Sequence, residues 1–106
     1  MPRVRKYLTT QAGFDDAAWR AWQINWLSRG LTAMETRLAR DPATGVFCHG
    51  DQVTIADICV AGIVAVGKVF KFEAADIPTV NRIVERCEAI EAFARANPMR
   101  QTGAPV

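Results

Sequence analysis

Val53-Thr54-Ile55-Ala56-Asp57-Ile58 is the stretch that decides the fold class. Thr54 reads as a helix N-cap. Its hydroxyl is placed to accept from the backbone N–H of Asp57, and the Asp57 carboxylate can return a bond to the N–H of Thr54. This is a capping box with Asp in place of the usual Glu or Gln. Val53 and Ile58 occupy the two positions of a hydrophobic staple around it. After Asp57 no charge appears until Lys68. A helix apolar on all sides is a core helix enclosed by others. The expectation is a buried central helix beginning near Thr54, in which an unpaired donor would cost about 1–3 kcal/mol.

Upstream, Ala17 to about Arg40 contains no proline, and Leu27, Leu31, Met34 and Leu38 recur at the spacing of an amphipathic helix. Trp19, Trp22 and Trp26 extend the pattern, and Asp15 and Asp16 are N-cap candidates. Gly30 costs this helix about 1 kcal/mol relative to alanine, which close approach of a helix or ligand would offset; a neutral, tolerated glycine is the equal alternative. Asp41-Pro42 ends it, and a loop runs on to Gly50-Asp51. Met1 to Thr10 reads as a short helical piece without a cap. Downstream, Pro78 suits a first helical turn. Val80, Ile83, Val84, Cys87, Ile90 and Phe93 then predict one amphipathic helix stopped by Asn97-Pro98, with an extended tail from Met99. No segment reads as a strand. The fold class expected is all-α.

A length of 106 residues suits a single domain. The net charge of +2 is too small to imply a nucleic-acid partner by itself, and Arg3, Arg5 and Lys6 read as a solvated end. The longest apolar stretch, Ile58 to Gly67, falls short of the ~20 residues a membrane span needs. Cys48, Cys59 and Cys87 form neither a disulfide framework nor a zinc pattern, which points to a reducing cytosol.

Few residues invite chemistry. His49, the only histidine, sits in a loop beside Gly50 and reads as solvent-facing. Cys59 and Cys87 lie on apolar helix faces and read as small buried hydrophobes, while Cys48 keeps a redox reading open. Asp57 is explained as a cap, and the tryptophans as core or interface residues. Arg3, Arg5, Arg29 and Lys68 could each meet an anion, though a solvated charge is the simpler reading. No metal site is expected, and no glycine-rich phosphate loop, Ser-centred elbow, HExxH or CxxC is present.

Gly50-Asp51-Gln52-Val53-Thr54-Ile55-Ala56-Asp57 resembles the capping-box segment of the helical C-terminal domain of glutathione S-transferases. Four further stretches resemble their zeta class, the maleylacetoacetate isomerase type. Arg3 to Leu8 is similar to an R-V-x-K-Y-L helix. Trp22 to Glu35 follows a W-x-x-x-W-x-x-x-G-x-x-x-x-E pattern. Phe70-Lys71-Phe72 with Ile77-Pro78-Thr79 matches the approach to the last long helix. Glu91-Ala92-Phe93 through Asn97-Pro98-Met99-Arg100-Gln101 resembles the E-A-F…H-P-x-R-Q ending.

The resemblance implies a helical bundle around the buried central helix, with residues 1–106 forming one domain. It implies that the first helix is truncated and that a thioredoxin-like domain, which carries the family's glutathione site, is absent. Glutathione is the family's cofactor, and none is expected to bind this chain alone. The family's arginine for a substrate carboxylate falls at Val69. Lys68 is the substrate-binding candidate left beside it, about 100° round the helix. The implied function is the hydrophobic-substrate side of a glutathione-dependent site, inactive alone. The alternative is a non-catalytic helical module that self-associates through the face left by the missing domain. The partners expected are a second copy or a separate thioredoxin-like domain, with no nucleic acid and no membrane.

Overall fold

The computed structural model describes residues 2–74 and 76–104. Five helices follow one another: α1 Pro2–Ala12, α2 Asp16–Arg40, α3 Ile55–Val69, α4 Pro78–Glu88 and α5 Glu91–Ala96, with a 3₁₀ turn at Pro98–Arg100. The fold is all-α. Among the described residues the only extended pairing is one isolated bridge between Thr44 and Gly50. None of the helices is long and apolar enough to cross a membrane.

The core grows from α4. Val80, Ile83, Val84 and Cys87 fall on one stripe at 3.6-residue spacing, and all four are buried. Leu31 of α2, Val60 of α3, Ile77 and Cys48 close the cluster, with Leu27, Met34, Leu38 and Phe93 packed against it. The long helix α2 is capped by Asp15, whose carboxylate accepts from the N–H of Ala18 at 2.8 Å. α1 buries no side chain, and its Arg5 reaches Asp16 at 2.6 Å.

Burial of α3 is one-sided. At 100° per residue, Asp57, Val60, Val64 and Gly67 point one way, into the body. Ile55, Ile58, Cys59, Ile63 and Val66 point the other way and are exposed, Ile55 by 77% and Ile58 by 58%. Enclosure on every side is therefore corrected, and with it the reading of Cys59 as a buried hydrophobe. The composition of the helix is that of a core element. This chain supplies packing for one of its faces.

Two further expectations are corrected downstream. The helix begun at Pro78 does not run to Asn97, because it breaks at Ala89-Ile90. Ile90 is extended (φ −85°, ψ 126°), and its N–H closes a tight turn on the carbonyl of Cys87. In a straight helix Phe93 would stand about 130° round from the buried stripe. The break instead turns Phe93 onto the core. The tail is also not extended at its start. Asn97 caps the 3₁₀ turn by accepting from the N–H of Met99 at 2.9 Å, and Gln101 donates back to the carbonyl of Arg95 at 2.7 Å. Pro105 and Val106, the end of that tail, lie outside the described residues.

Candidate functional site

Asp57 is a structural hub. It is wholly buried, and its Oδ2 accepts from the N–H of Thr54 at 2.8 Å and from the Thr54 hydroxyl at 3.2 Å. The hydroxyl thus donates to the carboxylate, while the Asp57 N–H bonds to the Thr54 carbonyl at 3.1 Å. Oδ1 accepts from the N–H of Cys48 at 2.8 Å, so the same carboxylate ties the 41–53 loop to the start of α3. Burial would raise the carboxyl's pKa, but the N–H donors of Cys48 and Thr54 outweigh it and hold the group below its ordinary range. The effect on Cys48 is opposite. Burial, then the Asp57 carboxylate, push its thiol up to about 12. A thiol so protonated is a poor nucleophile, which removes the redox reading of Cys48. Burial also raises Cys87.

Two residues of α2 that sequence reasoning passed over fix the other helices. Glu35 accepts from the N–H groups of Thr79 at 2.9 Å and Val80 at 2.8 Å, capping α4 from outside. Burial opposes its charge, but the two N–H bonds prevail, so its carboxyl too is shifted down. Helix α4 needs this acceptor because Ile77, its N-cap, has no side-chain oxygen. An uncapped start in the sequence was the available signal.

At the far end of α2, Arg20 donates through Nη1 to the carbonyl of Phe70 and through Nη2 to that of Lys71 at 3.1 Å. Here α3 ends in a Schellman motif. The N–H of Lys71 bonds to the carbonyl of Lys68, and that of Phe72 to the carbonyl of Gly67. The left-handed position belongs to Lys71 (φ 54°) where glycine is usual. Arg20 holds the two carbonyls around it.

Between α2 and α3 lies an open groove of about 520 Å³. Trp22, Trp26, Gly30 and Met34 form one wall, Ile63, Val66 and Phe70 the other, and Arg20 is the single charged residue in its lining. Gly30 is the floor of an empty stretch, with nothing beyond its own stretch of helix backbone within 4 Å of where its Cβ would stand. The aromatic residues are ordered. Trp19 stacks on Trp22 with ring centroids 5.2 Å apart, and Trp26 meets Trp22 edge-on at 6.4 Å.

The residues singled out from the sequence do not converge. Lys68 forms an exposed pair with Glu88 at 3.5 Å and does not line the groove. Val69 is half-buried, and Val53 and Ile58 are both exposed. His49 faces solvent, Arg3 is exposed, and Arg29 lies 5.4 Å over the Trp26 ring. No group of three or more His, Cys, Asp or Glu side chains among the described residues could hold a metal.

The fold recurs in known proteins. The family model for the glutathione S-transferase C-terminal domain matches residues 16–66. A maleylacetoacetate isomerase of Rhizobium meliloti (strain 1021) is 42% identical over 89 residues, covering 84% of this chain and 41% of that protein. The crystal structure of a maleylacetoacetate isomerase from Methylobacterium extorquens AM1, with bound malonate and GSH, superposes with a TM-score of 0.94 at 40% identity. That match covers 100% of this chain and 50% of the other. A maleylpyruvate isomerase described as a bacterial glutathione S-transferase of the zeta class gives a TM-score of 0.85 at 33% identity, covering 97% of this chain and 49% of its own. This chain therefore spans about half the length of the relatives it matches. Close likeness at these identities, over nearly all of the chain, leaves one assignment: the chain belongs to the glutathione S-transferase family, as a helical C-terminal domain of the zeta-class type.

Proposed function

We propose that this chain supplies the electrophile-binding wall of a glutathione-dependent isomerase or transferase whose cofactor half is a thioredoxin-like unit, and that it is inactive by itself. The observation that carries the reading is the match to a maleylacetoacetate isomerase over the full chain at a TM-score of 0.94, with half of that protein left over. The chemistry of the chain agrees. Glutathione is a hydrophilic tripeptide with two carboxylates and needs paired polar donors. The groove offers mostly carbon walls, with Arg20 its one cation and Gln23 its one amide, too few polar groups to fit glutathione. The high Cys48 thiol and the solvent-facing His49 supply no nucleophile or base beside the groove.

The test is reconstitution. The 106-residue chain would be mixed with the separately produced thioredoxin-like half of the Methylobacterium enzyme, and glutathione-dependent cis–trans isomerisation of maleylacetoacetate followed by absorbance. Turnover by the pair and none by either part alone is the expected result. Turnover by this chain alone, or none by a pair shown to associate, would overturn the reading. A second reading, self-association, draws on the exposed outer face of α3, where Val53, Ile55 and Ile58 stand together without cover. Sedimentation equilibrium decides it, since a monomer at high concentration is incompatible with that reading.

A further inference from the structure

We propose that the outer face of α3 is a two-fold contact, paired antiparallel with the same face of a second copy of this chain. The proposal rests on the self-association reading and deepens it by naming the seam and its register. Ile55, Cys59, Gly62 and Val66 follow one another at spacings of four, three and four. At 100° per residue they fall within about 60° of one another, on the side of α3 turned away from the core. All four are exposed, flanked by Ile58 and Ile63. Such spacing is the seam along which one helix packs on another. Val66 and Ile63 also belong to the wall of the α2–α3 groove, whereas Ile55, Ile58, Cys59 and Gly62 do not line it.

The pattern says which partner fits. Read from either end, it runs large, small, small, large at the same spacings. A two-fold contact sets residue i of one copy against j of the other, and j against i. About the midpoint between Val60 and Ala61, Ile55 of each copy then meets Val66 of the other, and Cys59 meets Gly62. The small pair stands where two crossing helices come closest, and the larger pair fills the space where they diverge. The notch is open, since Gly62 has nothing beyond its own stretch of helix backbone within 4 Å of where a Cβ would stand. A contact between identical faces also sets like against like in charge. No charged residue occurs between Asp57, which is buried, and Lys68, which turns away and pairs with Glu88. The exposed carbon of Val53, Ile55, Ile58, Cys59, Ile63 and Val66 comes to roughly 500 Å² per copy, so a pair reaches about the 1,000 Å² that a specific interface needs. A helix laid in the groove, such as the segment that the resemblance implies ahead of α1, would leave Ile55, Ile58, Cys59 and Gly62 bare, since none of them lines it. The thioredoxin-like half is the other claimant, and it has no need of a face that is its own two-fold complement.

Sedimentation equilibrium of the 106-residue chain tests this, with the rate of Cys59 reaction with Ellman's reagent followed over the same concentrations. The chain should pass from monomer to dimer in the micromolar range expected of a minimal interface. Cys59, exposed in the single chain, should react about tenfold more slowly in the dimer. Gly62→Leu suits a helix better than glycine and starts into open space in the monomer, but it fills the notch. Ile55→Glu places a carboxylate at a helix start, where it is favoured, and sets it against Val66 of the other copy. Each should weaken the dimer about tenfold with the far-UV circular dichroism unchanged. A chain that stays monomeric at millimolar concentration overturns the proposal. A dimer that both variants leave intact, or in which Cys59 keeps its monomer rate, overturns this face and leaves self-association standing. Protection of Cys59 only on adding the thioredoxin-like half assigns the face to that half and overturns the proposal as well. Turnover in the reconstituted pair beside any of these failures leaves the electrophile-wall reading standing.

Discussion

Replacing Asp57 by alanine should remove a large share of the chain's stability. The carboxylate accepts from two backbone N–H groups, those of Cys48 and Thr54, each at 2.8 Å, and from the Thr54 hydroxyl. Asp57 is fully buried and Cys48 nearly so, which prevents water from taking over at that end. Each orphaned N–H costs about 1–3 kcal/mol, with charged acceptors at the upper end, so the loss should be about 4 kcal/mol. A domain of this length has about 5–15 kcal/mol in total. Asp57→Asn keeps one carbonyl oxygen but points an NH₂ at the other donor, and should lose about half as much. Urea unfolding followed by far-UV circular dichroism measures both, with the midpoint shifting at constant slope. The same carboxyl sets a pH dependence. Its folded pKa is depressed, so the unfolded chain takes up the proton first as the pH falls. The stabilisation is full above the unfolded value near 4 and is lost as pH falls through the lower folded value. The Asn variant should show a flatter acid limb. If Asp57→Ala loses less than about 1 kcal/mol, the hub argument is wrong, since that is below the cost of even one orphaned donor.

Glu35→Ala should lose about 2 kcal/mol, because it uncaps Thr79 and Val80 at the start of α4; a change within a few tenths by the same urea titration would mean water replaces the carboxylate. Reaction with Ellman's reagent at pH 8 in the folded state should show one fast thiol, Cys59. Cys48 and Cys87, buried and shifted up, should react only on unfolding. Cys59→Ser should abolish the fast phase, and a surviving fast phase in that variant would refute the assignment.

What could be read from the sequence was local. Thr54 and Asp57 lie three residues apart, and one turn of helix brings them together whatever the rest of the chain does. The stripe of α2 and the proline that opens α4 are likewise properties of short windows. Arg20 and Glu35 were not legible in this way, since their partners lie 44 to 51 residues on and are backbone atoms with no residue signature. The bend at Ile90 carries no glycine or proline and is set by where Phe93 can pack. The bare outer face of α3 was hidden for a different reason. Hydrophobicity records that a surface is to be covered, without saying whether the same chain covers it.

The reach of the two α2 anchors has a consequence for the order in which the chain assembles. Asp57 closes a loop of nine residues to Cys48, whereas Arg20 and Glu35 close loops about five times longer. Loop-closure entropy makes the long closures about 1.4 kcal/mol harder, so the Asp57 hub should be in place at the folding barrier and the α2 anchors should engage after it. Stopped-flow kinetics should then show Asp57→Asn slowing refolding and Glu35→Ala chiefly accelerating unfolding. On that account the long helix acts as a latch, setting how long the fold stays shut once its centre has formed.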